Sequence, residues 1–112
     1  MSQAETNADV VCERTYWMMI DGQPRPIPVR WLRPVLDSVS WCCEIQVDWP
    51  NQTPQRQKIY GVDSVQAILL AFQAAASILC TTRPSVFLYE FGDDLHLPHP
   101  NDIKNAEARS GL

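Results

Sequence analysis

The chain has 112 residues, of which 46% are hydrophobic, and it carries a formal net charge of −4. This length is typical of a single domain, and four Trp, three Tyr and three Phe supply apolar surface for a packed core. Residues 10–100 hold nine acidic and seven basic residues, so the domain lacks the basic stripe that nucleic-acid binding requires.

The two ends of the sequence differ from its middle. Residues 1–9 and 101–112 are polar and have no apolar periodicity, so we predict loose termini around a single α+β domain at residues 10–100. The first residues do not resemble a secretory signal, and the longest apolar run, 67–76, is shorter than the about 20 residues of a membrane span. Four cysteines without CxxC spacing indicate reduced and mostly buried thiols. We therefore expect a cytoplasmic protein that binds neither membranes nor nucleic acid.

The first two predicted strands, residues 11–20 and 27–33, flank a turn that begins with Asp21-Gly22 and continues through Gln-Pro. A register that pairs Ile20 with Pro26 places the odd-numbered residues of both strands on one apolar face. The first strand would then direct Thr15, Trp17 and Met19 to the core and Arg14, Tyr16, Met18 and Ile20 outward.

Residues 41–49 alternate almost perfectly between apolar and polar side chains, which predicts a half-buried strand. A loop at 36–40 would fold this strand back with Val29 opposite Ile45 and Arg30 opposite Glu44. A turn at 50–54 leads to a fourth strand at 56–60, with Lys58 opposite Asp48. These registers predict a four-stranded antiparallel meander with one apolar face and one wet face.

A long apolar helix is predicted from Asp63 to about residue 81, because Asp63 can cap it and Gln66 can complete a capping box. No charged residue lies between Asp63 and Arg83, so we expect burial on more than one side of the helix. Arg83-Pro84 ends the helix, and residues 85–91 are predicted to form a fifth strand. The resulting order is ββββαβ, with the helix packed on the sheet. The narrow row predicted to face water consists of Gln66, Gln73 and Ser77.

The densest polar segment, residues 92–100, contains both histidines and two adjacent aspartates. These side chains could ligate a metal ion, or His96 could act as a general base. The prolines on both sides of His99 instead favour an extended surface loop that separates the two imidazoles. No motif for a catalytic nucleophile, a phosphate loop, a dinucleotide or zinc is present, so we predict a non-enzymatic protein without cofactor or metal.

Partner binding is the remaining role for the polar side chains. Arg14, Tyr16 and Arg30 lie at even-numbered strand positions, where they could recognise an anion or, with Arg30 paired to Glu44, simply form a charge-balanced surface. The candidate partner-binding residues are Asp93, Asp94, His96, Tyr16 and Arg30.

Three stretches carry a resemblance to a family of short bacterial proteins of unknown function. They are Glu13-Arg14-Thr15-Tyr16, Arg25-Pro26-Ile27-Pro28-Val29 and Gly61-Val62-Asp63-Ser64-Val65-Gln66-Ala67, and the likeness covers most of residues 12–98. The resemblance implies a bacterial origin and a shared fold. It implies no activity and no site residues.

We expect a protein-binding function, most concretely that of an immunity-type inhibitor that neutralises a cognate toxin by direct binding. The mild acidity would suit a basic toxin. The alternative is a homo-oligomeric structural or regulatory module, in which Met18, Ile20 and Leu32 or the apolar helix complete their burial in a second copy. A third hypothesis is a small enzyme or metal-binding protein that uses the His96 loop.

Overall fold

The computed structural model describes residues 9–88 and 94–98 and has the predicted α+β class. Within these residues a single antiparallel sheet contains six strands rather than five, and a helix follows the fifth. The additional strand is β3, which occupies the segment predicted as a loop. The elements are β1 (Val10–Ile20), β2 (Gln23–Leu32), β3 (Val35–Asp37), β4 (Ser40–Val47), β5 (Gln55–Gly61), α1 (Ser64–Cys80) and β6 (Val86–Phe87).

Strand β4 lies at the centre of the wide part of the sheet. Its residues 45–47 pair with β2 and its residues 40–42 with β3, while β5 runs along its other side. Strand β1 pairs with the far side of β2, and β6 then pairs with β1. Among the described residues, β3, β5 and β6 each pair with a single neighbouring strand and therefore have a free edge.

The predicted core face of β1 is wrong. Asp21 and Gly22 both have positive φ, at 53° and 77°, so they alone form a two-residue turn and pair Ile20 with Gln23. Compared with the predicted register, this pairing is displaced by an odd number of residues, which exchanges the two faces of the strand. Tyr16 and Met18 are buried in the core, whereas Met19 is exposed.

The core faces of β2 and β4 are as predicted, but the pairing between them is displaced by two residues. Trp31, rather than Val29, lies opposite Ile45, and Arg30 lies opposite Gln46 instead of Glu44. An even displacement keeps each side chain on its face, so the buried set is unchanged. The core-facing set comprises Ile27, Val29 and Trp31 from β2 and Cys43, Ile45 and Val47 from β4. On the opposite, predicted wet face of β4, Cys42 and Gln46 are buried as well.

The β4–β5 hairpin also differs in register from the prediction. Lys58 lies opposite Glu44 rather than Asp48, and Ile59 lies opposite Cys43 rather than Val47. The connection between the strands spans residues 48–54, a longer loop than the predicted turn.

Helix α1 begins as predicted. The Asp63 carboxylate accepts a 2.8 Å hydrogen bond from the Gln66 backbone N–H, and the Gln66 side chain accepts one of 2.7 Å from the Val62 N–H. The helix ends at Cys80 with Thr81 as its C-cap. No helix among the described residues combines the length and apolar character needed to cross a bilayer.

Helix α1 packs on the sheet through a row of small side chains. Ala67, Ala71 and Ala75 are fully buried, which allows the helix backbone to approach the strands closely. The Trp31 indole N–H donates a 3.3 Å bond to the Ala71 carbonyl, and its ring meets Phe72 edge-on at 5.1 Å. The predicted water-facing row is wrong, since Gln66, Gln73 and Ser77 are partly buried and the exposed side instead carries Val65 and Leu69.

The predicted fifth strand falls partly within the described residues. Val86 and Phe87 form β6, which pairs antiparallel with Met18 and Trp17 of β1. Residues 89–91 of the predicted strand, both predicted termini apart from residue 9, and His99 lie outside the described residues. The domain limits at residues 10 and 100 stay predictions.

Candidate functional site

Two side chains of β1 donate hydrogen bonds to the backbone carbonyls of a loop at residues 94–98 and so attach this loop to the strand. The buried Tyr16 hydroxyl donates a 2.7 Å bond to the Leu95 carbonyl. The Arg14 guanidinium donates to the carbonyls of Leu95 and His96 at 3.2 and 2.7 Å and to the Tyr16 hydroxyl at 3.3 Å. We call Arg14, Tyr16 and these two carbonyls the loop clasp.

The clasp exists because Arg14 and Tyr16 are two positions apart on β1 and therefore share the helix-covered face of the sheet. The register set by Asp21-Gly22 determines that this face is the even-numbered one. Had β1 kept the predicted register, both side chains would have pointed to the opposite face. The turn thus places the predicted candidate Tyr16 inside the protein, where its hydroxyl binds the backbone of the loop.

The loop also contains internal contacts between two predicted site residues. The His96 backbone N–H donates a 2.8 Å hydrogen bond to the Asp94 carboxylate, whose second oxygen lies 3.8 Å from the imidazole Nε2. His96 has a φ of 53°, which allows this tight turn. The side chains of Asp94 and His96 remain 76% and 52% exposed. The loop therefore presents a carboxylate and an imidazole to solvent, while Arg14 and Tyr16 bind its backbone.

Burial raises the pKa of Tyr16, and the carboxylate of Asp94 adds to the increase. The hydrogen bond and positive charge of Arg14 act in the opposite direction but do not cancel the effect of burial. The phenol is therefore protonated at neutral pH and can donate its hydrogen to the Leu95 carbonyl.

Arg30, the other predicted site residue on this hairpin, lies on the opposite face of the sheet from the clasp. Its guanidinium contacts Glu13 at 3.2 Å and Asp48 at 2.7 Å, and not Glu44 as predicted. The pKa of Arg30 is raised, chiefly by the hydrogen bond to Asp48. Arg30 therefore ties β1, β2 and the end of β4 together and does not join Tyr16, Asp94 and His96. Asp93, the remaining candidate, lies outside the described residues.

A cavity of about 370 Å³ on the face of Arg30 was not predicted from the sequence. It forms because β3 extends the sheet beyond β2, and no pattern in the sequence indicates that strand. Arg33 and Asp9 form a 3.6 Å ion pair at its rim, and Cys42 lies buried in its wall. The lining also includes Leu32, Val35, Glu44 and Lys58.

The cysteines divide into two buried and two exposed thiols, Cys42 with Cys43 and Cys12 with Cys80. Desolvation raises the pKa of Cys43 to about 11, so its thiol is protonated at neutral pH and donates to the Leu32 carbonyl at 3.2 Å. Within residues 9–88 and 94–98, no three His, Cys, Asp or Glu side chains are grouped to hold a metal ion. The hypothesis of an enzyme or metal site at His96 stays a prediction, which zinc titration by calorimetry would test.

Comparison with known proteins yields a family but no characterised relative. No curated protein and no solved structure matches the chain. A family model described as a domain of unknown function matches residues 12–86, the span from β1 to the start of β6. This match confirms the resemblance to an uncharacterised family, while the bacterial origin inferred from that resemblance stays a prediction. The chain belongs to the family described as a domain of unknown function, DUF6968.

Proposed function

We propose that this protein is a non-catalytic binding domain that docks a cognate protein through the 94–98 loop, as an immunity protein does when it neutralises a toxin. The observation that carries this proposal is the loop clasp. Arg14 and Tyr16 bind the main-chain carbonyls of the loop and leave the Asp94 and His96 side chains directed to solvent. A loop whose backbone is already ordered loses less conformational entropy when a partner binds.

The sequence that flanks the loop is acidic, which favours a partner with a basic surface. Between Arg83 and Lys104 the sequence contains Glu90, Asp93, Asp94 and Asp102 and no Lys or Arg. Such a one-sided segment accelerates association with a positively charged protein and disfavours acidic ones. The reducing cytoplasm of a bacterium is the compartment we propose, because it would keep the four free thiols reduced.

The proposal is tested by capturing partners from the native host on the immobilised chain and on matched variants. Asp94→Asn removes the charge but keeps the oxygen that accepts the His96 N–H, and His96→Ala removes the imidazole. Val39→Asp changes an exposed residue on the β3–β4 turn and serves as the control.

We expect the wild type and the Val39→Asp control to retain the same protein. Both loop variants should bind that protein more weakly. Titration of the purified partner should give the same ranking, and co-expression with the chain should relieve any toxicity of that partner. If every captured protein binds the loop variants as well as it binds the wild type, the loop is not the docking surface.

Self-association is the second candidate, and the exposed side of α1 supports it. Val65 and Leu69 lie one turn apart and are 62% and 45% exposed. Met18 does not contribute to such an interface, contrary to the prediction, because it is buried in the core. Light scattering across a concentration series tests this candidate. A dimer that Leu69→Gln converts to a monomer would support it, whereas a monomer at every concentration would exclude it.

A further inference from the structure

Strand β5 forms an edge of the sheet in the part of the chain that the structure describes. It pairs with β4 from Gln55 to Gly61, and no described strand lies on its other side. Residues 56–58 and 60 are exposed. In a strand with one neighbour, alternate backbone N–H and C=O groups point away from the sheet and can pair with another chain.

The outward side chains of this edge are basic and lack ion-pair partners among the described residues. Arg56 and Lys58 lie two positions apart on the face that also carries Arg30. Arg30 is held by Glu13 and Asp48, whereas neither Arg56 nor Lys58 takes part in an ion pair within residues 9–88 and 94–98. Glu44 lies opposite Lys58, but its carboxylate accepts a 2.9 Å hydrogen bond from the Gln46 side chain.

These two charges disfavour pairing of β5 with a second copy of itself. In a two-fold antiparallel pairing, the residues that lie opposite each other are related by the symmetry axis. An axis at residue 56 would place the Arg56 side chains of the two copies opposite each other, and an axis at residue 58 would do the same for Lys58. An axis at residue 57 would place Arg56 of each copy opposite Lys58 of the other. Like charges directly opposite each other destabilise a strand pair.

We propose that the β5 edge is a second docking surface, which accepts an extended acidic segment of a protein partner by strand addition. Acidic side chains two positions apart on the added strand would lie opposite Arg56 and Lys58. The side chain between them would lie beside Gln57, on the helix-covered face, and the next one on that face beside the half-buried Ile59. The charges that disfavour self-pairing in these registers thus favour a strand of opposite charge. This surface is separate from the 94–98 loop and does not depend on it.

The test uses the isotope-labelled full chain and an end-blocked peptide of eight residues. In this peptide every second residue is Glu, and the residues between are Thr or Val. A peptide with Lys in place of every Glu is the matched control. We expect the Glu peptide to shift the amide resonances of residues 55–61, more strongly at low salt, and the Lys peptide to leave them unchanged. Reversing both charges with Arg56→Glu and Lys58→Glu should weaken binding of the Glu peptide about tenfold or more and allow the Lys peptide to bind.

Two further Glu peptides distinguish strand addition from simple charge attraction. Each carries N-methyl groups on one of the two alternate sets of backbone amides. If the peptide binds by strand addition, methylation of one set of amides abolishes binding and methylation of the other set is tolerated. The reason is that the N–H groups of only one set face β5. Asp94→Asn should bind the parent peptide as the wild type does, which separates this surface from the loop.

Three results would overturn the proposal. They are an absence of shifts in β5 up to about 2 mM peptide, equal binding by the charge-reversed variant, and equal binding of both N-methylated peptides. The spectrum outside β5 reports whether the charge-reversed variant has kept its fold.

Discussion

The Tyr16 hydroxyl and the Leu95 carbonyl, 79 residues apart in the chain, are joined by a 2.7 Å hydrogen bond. This bond connects the buried Tyr16 of β1 to the 94–98 loop, and the Arg14 guanidinium donates a second hydrogen bond to the same carbonyl. The loop clasp is therefore the long-range contact that determines how Asp94 and His96 are presented.

Replacement of Tyr16 by Phe should release the loop. The change removes one of the two donors to the Leu95 carbonyl while keeping the buried ring, so we expect a loss of about 1 kcal/mol in the free energy of unfolding. Hydrogen exchange should also accelerate at the amides of Leu95, His96 and Leu97. Tyr60→Phe is the control, because Tyr60 is exposed and its hydroxyl lies 3.5 Å from Asp37 on β3, far from the Leu95 carbonyl in the chain. Equal effects of the two replacements would contradict the clasp.

The buried thiol of Cys43 should make the protein less stable at alkaline pH. Its pKa is raised from 9.0 to about 11 in the folded state, so the unfolded chain loses the proton first as the pH increases. Because the folded state then binds more protons, the free energy of unfolding decreases between pH 9 and pH 11. We expect the stability of the wild type relative to Cys43→Ala to decrease by about 2–3 kcal/mol across this interval.

Urea unfolding under reducing conditions at a series of pH values measures this difference. Titrating groups that do not interact with Cys43, such as Tyr16, contribute equally to both proteins and cancel in the comparison. Cys80→Ala, which removes an exposed thiol, is the matched control. A constant difference between the wild type and Cys43→Ala would contradict the prediction.

Gly61 should tolerate no side chain at the junction between β5 and α1. A Cβ atom there would lie 2.5 Å from the Ala67 backbone nitrogen and 2.9 Å from the Ala67 Cα, and neither atom can move without shifting the helix. We expect Gly61→Ala to lower the free energy of unfolding by about 1–3 kcal/mol.

Gly22 offers a comparison in which backbone conformation rather than space is limiting. It has a positive φ, but a Cβ atom at this position would have no neighbouring atom within 4 Å, so Gly22→Asn should cost less than Gly22→Ala. At Gly61, Asn should be at least as harmful as Ala. Chemical denaturation of the four variants gives the ranking, and a reversed order at either position would contradict it.

Removal of the Arg30 charge should destabilise the sheet modestly. Arg30→Met breaks the contacts with Glu13 and Asp48, and because the side chain is only 26% exposed we expect a loss of about 0.5–1 kcal/mol that diminishes at high salt. Arg56→Met, on the same face but without an ion pair among the described residues, should have almost no effect. A double-mutant cycle of Arg30→Met with Asp48→Asn isolates the pair, and a coupling energy near zero would show that the contact contributes nothing.

Periodicity in the sequence correctly indicates the elements whose two faces differ. Strand β4 alternates between apolar and polar residues, so its buried face could be predicted even though its registers with β2 and β5 could not. The Asp63 cap is a local signal and acts as predicted, whereas the Gln66 side chain accepts its hydrogen bond from the Val62 N–H rather than from that of the cap residue. The expected salt bridges failed because charge pairs constrain a register only weakly, whereas loop length determines it directly.

Strand β1 shows where periodicity fails. It carries apolar side chains on both faces, Tyr16 and Met18 on one and Trp17 and Met19 on the other, so its pattern does not determine which side is buried. The Asp21-Gly22 pair does indicate the correct register, since these residues favour a two-residue turn. The Gln-Pro that follows, however, suggests a longer turn. One misplaced turn reverses the assignment of Tyr16.

The sequence by itself determined the α+β class, the faces of β2 and β4 and the start of the helix, because each depends on residues close together in the chain. Only the tertiary structure decided that Tyr16 and Arg14 hold the 94–98 loop, that Arg30 lies apart from them, and that β5 forms a basic edge of the described sheet. These relationships depend on which strands become neighbours and in what register. Contacts between residues tens of positions apart determine that arrangement, and local patterns do not encode them.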